Sequence, residues 1–328
     1  MSDTRLNIAL GSGAVTLPPE GRIAVFRPHG DADLSDLPGD RVHVIQGFRP
    51  DHDAFVASGY DTGVAPDGAY SGALVFLTRS KIEARALIAQ AAGFGGVVIV
   101  DGQKTDGIES ILRDIRKRAD VGEVISKAHG KLFAFRGGDF SDWQPDPAGH
   151  AIAGGFRTVP GVFSADGIDP GSAVLAAALP ARLSGRIADL GAGWGFLARE
   201  ILTREGVSQL HLIEAEHAAL ACARVNVTDA RAQFHWADAL QFAPDVPLDA
   251  VVSNPPFHTS RAAEPAIGRA FIAAAARMLK PSGKLWLVAN RHLPYEAEAA
   301  LHFLDVQEVA GDKRFKILAA AKPRRGRH

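Results

Sequence analysis

The hydrophobic pattern of the chain consists of short apolar runs that alternate with amphipathic stretches. In the first half, the apolar runs are rich in β-branched and aromatic residues, which is typical of buried strands. These runs are RIAVF (22–26), VHVIQ (42–46), ALVFL (73–77), GVVIV (96–100) and KLFAF (131–135). Between the last two, the apolar residues of 108–115 repeat with the spacing of one helix face. Strands that alternate with helices predict an α/β fold with a mostly parallel sheet.

The same alternation restarts after the segment RGGDFSDWQPDPAGH (136–150), whose Gly, Pro and Asp content predicts a linker. The strands predicted beyond it are RIADL (186–190), QLHLIEAE (209–216), AQFHWADA (232–239), LDAVVSN (248–254), KLWLVAN (284–290) and FKILAAA (315–321). The clearest helix among them is 268–279. A chain of 328 residues is also too long for one comfortable core. We therefore predict two α/β domains in tandem, residues 1–145 and 151–328.

Composition narrows the class of protein. With 47% hydrophobic and 22% charged residues, the chain resembles an ordinary globular protein. We expect no membrane span, no signal peptide and no metal site, and the single Cys222 fits a reducing, cytoplasmic setting. Because the net charge is −1, a nucleic acid would need a local basic patch. The candidates are the basic face of residues 113–118 and the segment 311–328, although the latter could equally be a solubilising tail.

The segment ADLGAGWGFLAREIL (188–202) predicts a strand, a glycine-rich turn and a helix. A dinucleotide site would need a small residue where this chain has Phe196, so that fingerprint does not fit. Asp189 precedes the turn and would repel a pyrophosphate, but it would attract a ligand that carries an ammonium and a sulfonium. The pattern therefore predicts a site for S-adenosyl-L-methionine.

Further acids follow the next two predicted strands, where ligands of open α/β sheets bind. Glu214 could accept hydrogen bonds from ribose hydroxyls, and Asp238 from an adenine amino group. Each acid alone would be an ordinary solvated strand end, but together with the glycine loop they predict a site. The predicted cofactor-binding residues are Asp189, Gly191, Ala192, Gly193, Glu214, Asp238, Ala239 and Asn254.

The sequence VVSNPPFHTS (251–260) ends a core strand with two prolines, which make the turn rigid. Together with the glycine loop, Asn-Pro-Pro-Phe resembles the class I S-adenosylmethionine-dependent methyltransferases that methylate amines. The resemblance implies that Asn254 and Pro255 accept hydrogen bonds from the target amine and that Phe257 stacks on the base. Pro256 keeps the turn stiff. His258 is not needed for this chemistry.

Other segments are similar to one branch of these enzymes, the RsmC-type ribosomal RNA guanine-N2 methyltransferases that act on 16S RNA. They are VPGVFSADGIDPGSAVL (159–175), GKLWLVANRHLPY (283–295) and GDKRFKILAA (311–320). The resemblance implies two tandem Rossmann-like methyltransferase folds, of which the N-terminal one has lost its cofactor site. Accordingly, RPHGDADL (27–34) stands where a glycine loop would be. The implied partner is the RNA of the 30S subunit, and a tandem pair of folds favours a monomer.

Three other functions remain open at this point: methylation of large-subunit RNA, methylation of a protein glutamine amide, and a non-catalytic role in ribosome assembly. Glutamine-methylating enzymes more often carry tyrosine where this chain has Phe257. The segment IDPGSAVL (168–175) predicts a helix capped by Asp169, and capping alone accounts for Asp169 and Ser172 without a ligand contact.

Overall fold

The computed structural model describes residues 4–256 and 265–324. The chain divides into two compact units, Met1–Gly149 and His150–His328. Within the described residues, each unit is built around one seven-stranded sheet, and the second unit has an additional two-stranded hairpin. The same residues contain no helix that is long and apolar enough to cross a membrane. They also contain no cluster of three or more His, Cys, Asp or Glu side chains that could hold a metal ion.

The first unit follows the predicted alternation of strands and helices. Its strands are β1 (Ile23–Phe26), β2 (Val42–Ile45), β3 (Asp61–Gly63), β4 (Gly72–Phe76), β5 (Val97–Gln103), β6 (Ile125–Lys127) and β7 (Gly130–Phe135). Its helices are α1 (Arg5–Gly11), α2 (Arg49–Ala57), α3 (Lys81–Ala92) and α4 (Ile108–Ile115). The central strands are buried on both faces, which explains why they consist of nearly continuous apolar residues.

The second unit opens with the hairpin β8 (His150–Ile152) and β9 (Phe156–Thr158). Its sheet contains β10 (Arg182–Leu190), β11 (Glu205–Glu214), β12 (Ala232–Trp236), β13 (Leu248–Ser253), β14 (Leu279–Asn290), β15 (Phe303–Gly311) and β16 (Phe315–Pro323). Its helices are α5 (Pro170–Ala178), α6 (Phe196–Leu202), α7 (His217–Asn226), α8 (Pro265–Met278) and α9 (Tyr295–His302).

The two sheets share one strand order. The first runs β3-β2-β1-β4-β5-β7-β6 and the second β12-β11-β10-β13-β14-β16-β15. If the seven strands of each sheet are numbered along the chain, both orders read 3-2-1-4-5-7-6. In both sheets the seventh strand runs antiparallel to its two neighbours, while the first five are parallel. The prediction of two related α/β folds in tandem is therefore confirmed.

The register of the second sheet brings the predicted site residues to one edge. Leu190 at the end of β10 lies between Ile213 of β11 and Ser253 of β13. The carboxyl ends of these three strands are therefore adjacent, with the glycine loop directly after the middle one. The hydroxyl of Ser253 donates to the Leu190 carbonyl at 2.7 Å and ties two of these ends together.

One prediction about a connecting segment is wrong. Part of the predicted linker 136–150 belongs to the first core, where Phe140 and Trp143 are 4% and 6% exposed. Of the two interpretations left open for the basic segment 311–328, a solubilising tail does not fit its described part, which forms the end of β15, a turn and β16 and includes the strand predicted at 315–321. Within it, Lys316 is only 5% exposed, and its Nζ lies 2.6 and 2.8 Å from the carboxylate oxygens of Glu296. Lys316 therefore stabilises the fold and is not available to an RNA.

Candidate active site

The glycine loop between β10 and α6 has the backbone conformation that its glycines predict. Gly191, Gly193 and Gly195 have φ angles of 77°, 56° and 94°, a region that other residues rarely adopt. The amide of Gly191 donates to the Ile213 carbonyl at 2.9 Å, which attaches the loop to β11. A Cβ at Gly195 would lie 2.8 Å from Val227, so the loop is also packed too closely for a side chain there.

Glu214 contacts this loop directly. Its Oε2 accepts from the Gly193 amide at 2.8 Å, and its Oε1 accepts from the Glu216 amide at 2.7 Å. Burial raises the pKa of Glu214. Each carboxylate oxygen still has a lone pair, so Glu214 can accept further hydrogen bonds from a ligand that lies against the loop.

Asp189 is completely buried at the end of β10. Neither of its carboxylate oxygens has a hydrogen-bond partner within the part of the chain that the structure describes. Burial, and then the charge of Glu214, raise the pKa of Asp189 to about 8. An unpaired buried carboxylate is unfavourable, and a nearby cationic group would relieve it. The buried carboxylate of Asp189 therefore fits a positively charged ligand beside the glycine loop.

Asp238 and Ala239 are placed differently from their prediction. β12 ends at Trp236, so Asp238 lies two residues beyond the strand rather than at its end. Its Oδ1 accepts from the Leu240 amide at 2.8 Å, which closes a local turn. Ala239 is 5% exposed and packs into the hydrophobic core. A partly exposed Asp238 can still reach a ligand at this edge, but its turn also explains it without one.

A pocket of about 370 Å³, its open mouth included, lies over the glycine loop. Gly191, Ala192 and Gly193 line it, together with Asn254. Glu214, Asp238 and Ala239 are not among the residues that line this pocket. The sequence-predicted set is therefore divided: the glycine loop and Asn254 line one cavity, whereas the acids Asp189, Glu214 and Asp238 do not.

Asn254 is the first residue after β13, and its side-chain amide is fully oriented by its neighbours. Its Nδ2 donates to Oδ2 of Asp169 at 3.0 Å and to Oγ of Ser172 at 2.7 Å. Its Oδ1 is buried and has no partner among the described residues. Pro255 is buried and Pro256 is exposed. Oδ1 of Asn254 is therefore an acceptor atom that no group within residues 4–256 and 265–324 uses.

Phe257 and His258 lie outside the described residues, so their predicted roles stay predictions. A different aromatic residue, which sequence reasoning missed, lines the pocket. Phe163 is 60% exposed, and its carbonyl accepts from the indole Nε1 of Trp194 at 2.9 Å. The indole of Trp194 is in turn buried against Phe156 of β9.

Asn226 at the end of α7 is a second structural residue that the sequence did not reveal. Its Nδ2 donates to the carbonyls of Trp194 and Arg157, both at 2.8 Å, and its Oδ1 accepts from the Arg157 amide at 2.8 Å. One amide thus joins β9 to the glycine loop. Phe163 and the start of α5 follow β9 in the chain, so this clamp helps to form the wall of the pocket.

The equivalent positions of the first unit carry other residues. Register places Phe26, Ile45 and Val75 where the second unit has Leu190, Ile213 and Ser253. The residues that follow are Arg27 in place of Gly191, Gln46 in place of Glu214 and Phe76 in place of Asn254, while Val25 replaces Asp189.

The first unit nevertheless retains the backbone geometry of a glycine loop. Arg27 has a φ of 55°, and its amide donates to the Ile45 carbonyl at 3.0 Å, as the Gly191 amide does to Ile213. The Arg27 guanidinium donates to Oε1 of Gln46 at 3.1 Å, and Nε2 of Gln46 donates to the Pro28 carbonyl at 2.7 Å. Internal contacts therefore occupy the groups that could otherwise hold a ligand, and the first fold is degenerate.

The shared strand order, together with a glycine loop and an Asn-Pro-Pro turn at adjacent strand ends, defines a class I methyltransferase. The chain belongs to the methyltransferase small domain family, whose model matches residues 153–319. This match covers most of the second unit and supports the assignment of the site to that unit.

Similar proteins extend the comparison beyond the family domain. Ribosomal RNA small subunit methyltransferase C of Pseudomonas aeruginosa is 30% identical over 280 residues, which are 81% of this chain and 83% of the relative. Ribosomal RNA large subunit methyltransferase G of Streptomyces coelicolor is 34% identical over 184 residues, or 54% of this chain. The chain matches about half the length of that second relative, since 48% of it is covered.

A solved structure is similar over both units. It is the T. thermophilus 16S rRNA N2 G1207 methyltransferase (RsmC) in complex with AdoMet and guanosine. The TM-score is 0.76 at 26% identity, with 94% of this chain and 90% of that chain covered. These similarities confirm the resemblance to the RsmC-type enzymes.

Proposed function

We propose that this protein transfers a methyl group from S-adenosyl-L-methionine to the exocyclic N2 amine of a guanine in 16S ribosomal RNA. The observation that carries the proposal is the state of Asn254. Its Nδ2 donates to two groups of the protein, and its Oδ1 is buried without a partner among the described residues, on a residue that lines the pocket over the glycine loop. The similarity to small-subunit methyltransferases supports the choice of RNA.

The residues beside the loop fit S-adenosyl-L-methionine. When bound, this cofactor supplies an electrophilic methyl group on a cationic sulfur, so the reaction needs no strong base and no metal ion. The loop formed by Gly191, Ala192 and Gly193 allows a ligand to approach the backbone, and Asp189 provides negative charge for its cationic part. Glu214 has lone pairs for ribose hydroxyls. Asp238 and Ala239 would bind the adenine, Asp238 as the acceptor for its amino group.

Asn254 and Pro255 would act on the target amine. The lone pair of an exocyclic amine is delocalised into the ring, which makes it a weak nucleophile. If its N–H groups donate to Oδ1 of Asn254 and to the carbonyl of Pro255, the lone pair is directed at the methyl group, so positioning supplies much of the rate. Pro256 restricts the turn that holds both acceptors.

Aromatic side chains would hold the base once it leaves its stack. Phe257 is the candidate from the sequence, and the exposed ring of Phe163 at the pocket wall is the candidate from the structure. Base stacking on an aromatic ring contributes about 1–3 kcal/mol per base. We further propose that the enzyme acts in the cytoplasm on RNA of the 30S subunit. We also propose that it is a monomer, because it carries its second fold in the same chain.

Methyl transfer from labelled S-adenosyl-L-methionine to purified 30S subunits, 50S subunits and free 16S RNA tests this function. We expect label in 16S RNA, recovered as N2-methylguanosine by nucleoside mass spectrometry. Label found only in protein, or in no substrate, contradicts the proposal. Methylated guanines would then be mapped in RNA from the wild type and from a strain that lacks the gene. The guanine that is methylated only in the wild type is the target position.

Large-subunit RNA is the second candidate substrate. It is favoured by the higher identity to large subunit methyltransferase G, although that match covers only half of the relative. Label in 23S RNA of the 50S subunits, with none in 16S RNA, would favour this alternative over the first.

A further inference from the structure

The side-chain amide of Asn254 has two chemically different ends, and the proposed reaction uses only one of them. Rotation by 180° exchanges the NH2 donor and the oxygen acceptor with almost no change in shape. Methyl transfer requires the oxygen to face the target amine. Another part of the molecule must therefore select one of the two orientations.

We propose that Asp169 and Ser172 are positioning residues that hold the Asn254 amide in its reactive orientation, an inference that rests on the proposed function. Asp169 is the N-cap of α5 and Ser172 lies in its first turn, and both accept a hydrogen bond from Nδ2 of Asn254. The two N–H bonds of the amide are thereby used within the protein, and the oxygen remains for the substrate.

Of these two residues, Asp169 favours the reactive orientation of the Asn254 amide more strongly. A carboxylate has acceptor atoms only, so a flipped Asn254 would place its oxygen against another oxygen with no proton between them. The same Oδ2 of Asp169 also accepts from the Ser172 amide at 2.7 Å, which caps α5. The helix cap therefore fixes the group that orients the amide.

Capping by itself does not explain the rest of the geometry. It accounts for the bond to the Ser172 amide, but not for the two bonds from Asn254. It also does not explain why Oδ1 of Asn254 is buried without a partner in the described chain, which is uncommon for an amide oxygen. A donor end bound by α5 and an acceptor end reserved for the substrate explain both observations.

The substitution Asp169→Asn separates positioning from capping. Asparagine caps helices as well as aspartate does, so α5 should keep its start and the thermal unfolding temperature should hardly change. The new amide can offer either a donor or an acceptor to Asn254 and no longer selects one orientation. We expect kcat to fall about tenfold at saturating substrates, with the Kd for S-adenosyl-L-methionine nearly unchanged. Ser172→Ala should lower kcat by a smaller factor.

A double-mutant cycle provides the decisive readout. If Asp169 acts through Asn254, Asp169→Asn should cause no further loss of kcat in an Asn254→Ala background. Asp169→Ser, which also caps but has no carboxylate, should reproduce the effect of Asp169→Asn. Turnover of Asp169→Asn within twofold of wild type, an additive loss in the Asn254→Ala background, or a loss confined to cofactor affinity would each overturn the inference.

The same assays distinguish this inference from the proposed function. A wild-type protein that methylates no ribosomal RNA contradicts the proposed function and this inference with it. An active wild type that is insensitive to Asp169→Asn contradicts only the positioning role.

Discussion

Gln46 and Glu214 occupy the same position in two sheets of the same strand order, and each accepts a hydrogen bond from the backbone amide two residues later. Oε1 of Gln46 accepts from Phe48 at 2.9 Å, and Oε1 of Glu214 accepts from Glu216 at 2.7 Å. Oε2 of Glu214 accepts from the Gly193 amide of the glycine loop. Gln46 instead has an NH2 group, which donates to the Pro28 carbonyl, and its oxygen also accepts from the Arg27 guanidinium. The two units thus share a backbone but differ in what they can bind.

From this difference, we expect one molecule of S-adenosyl-L-methionine to bind per chain. Isothermal titration calorimetry should give a stoichiometry of one, and Gln46→Glu should not add a second site because Arg27 and Val25 remain. Asp189→Asn should weaken the single binding event. Two equivalents per chain would contradict the assignment of the first unit as degenerate.

Asn254→Ala removes the open acceptor of the site. We expect kcat to fall about 10²-fold or more, as for the loss of an orienting hydrogen bond in a transition state. The Kd for S-adenosyl-L-methionine should change little, because the glycine loop and the acids of β10 and β11 remain. Single-turnover methylation and cofactor titration on the same preparation measure the two effects. An equal loss of cofactor affinity would place Asn254 mainly in the cofactor site.

The burial of Asp189 predicts a pH dependence of stability. Its pKa of about 8 in the fold lies above the ordinary value of 3.8, so the folded protein holds a proton that the unfolded chain releases. Stability from this group is therefore fully present below about pH 4 and is lost as pH rises towards 8. Asp189→Asn should remove this slope and stabilise the protein at pH 7 by up to about 4 kcal/mol.

The same substitution should weaken cofactor binding about tenfold, since a cation loses its anionic partner. In the wild type, binding at pH 7 should release a proton from Asp189, which calorimetry in buffers of different ionisation enthalpy detects. Urea unfolding between pH 5 and 8 measures the stability effect. Equal pH dependence in the two proteins would show that Asp189 does not titrate as expected.

His211 predicts the opposite slope at lower pH. It is 4% exposed, and its Nδ1 lies 3.0 Å from Nε2 of His235. Burial, and then His235, lower the pKa of His211 from 6.5 to about 4. The unfolded state therefore binds more protons between these values, and stability falls by up to about 3 kcal/mol as pH decreases from 6.5 to 4.

His211→Gln should flatten that acid-side slope, because the group whose pKa is lowered by burial is removed. Urea unfolding is best compared in an Asp189→Asn background, where the opposing slope is absent. An unaltered slope in His211→Gln would contradict the prediction.

RNA binding should depend on basic residues that have no ion-pair partner. Arg113 and Arg116 are exposed, and neither side chain has a partner among the described residues, whereas Arg118 is bound to both oxygens of Asp142 at 2.6 and 2.8 Å. The double variant Arg113→Ala/Arg116→Ala should bind RNA more weakly and reduce the salt dependence of binding by about one to two counterions.

Lys316→Met provides the matched control for this experiment. It should lower the thermal unfolding temperature, because Glu296 loses its partner, without changing the salt dependence. Filter binding at several salt concentrations separates the two effects. An unchanged salt slope in the double arginine variant would exclude Arg113 and Arg116 from the RNA surface.

The sequence predicted the elements that follow from local chemistry. The long buried strands, the glycine loop, the helix capped by Asp169 and the stiff turn at Asn254 each carry their signal within a few residues. Strand β15 was missed because most of its residues are exposed, so it lacks an apolar run. The three-residue strands β3 and β6 are too short to show a period.

What the sequence could not show are contacts between distant residues. The hydrogen bonds from Asn226 to the Trp194 and Arg157 carbonyls, and from Trp194 to the Phe163 carbonyl, join residues that are far apart in the chain, so they are visible only in the fold. Similarly, Asp169 and Ser172 were predicted to be helix-capping residues because nothing nearby in the chain pointed to Asn254. Capping was confirmed, but it describes only half of what Asp169 contacts.

The hydrogen bonds of Asn254 span 85 residues to Asp169 and 82 to Ser172. Both of the motifs by which the site is recognised lie after α5. A fragment that began at β10 would therefore keep the glycine loop and the Asn-Pro-Pro turn, yet its amide would be free to rotate. The Asn-Pro-Pro turn can therefore become reactive only after the domain has folded, when the start of α5 contacts the end of β13.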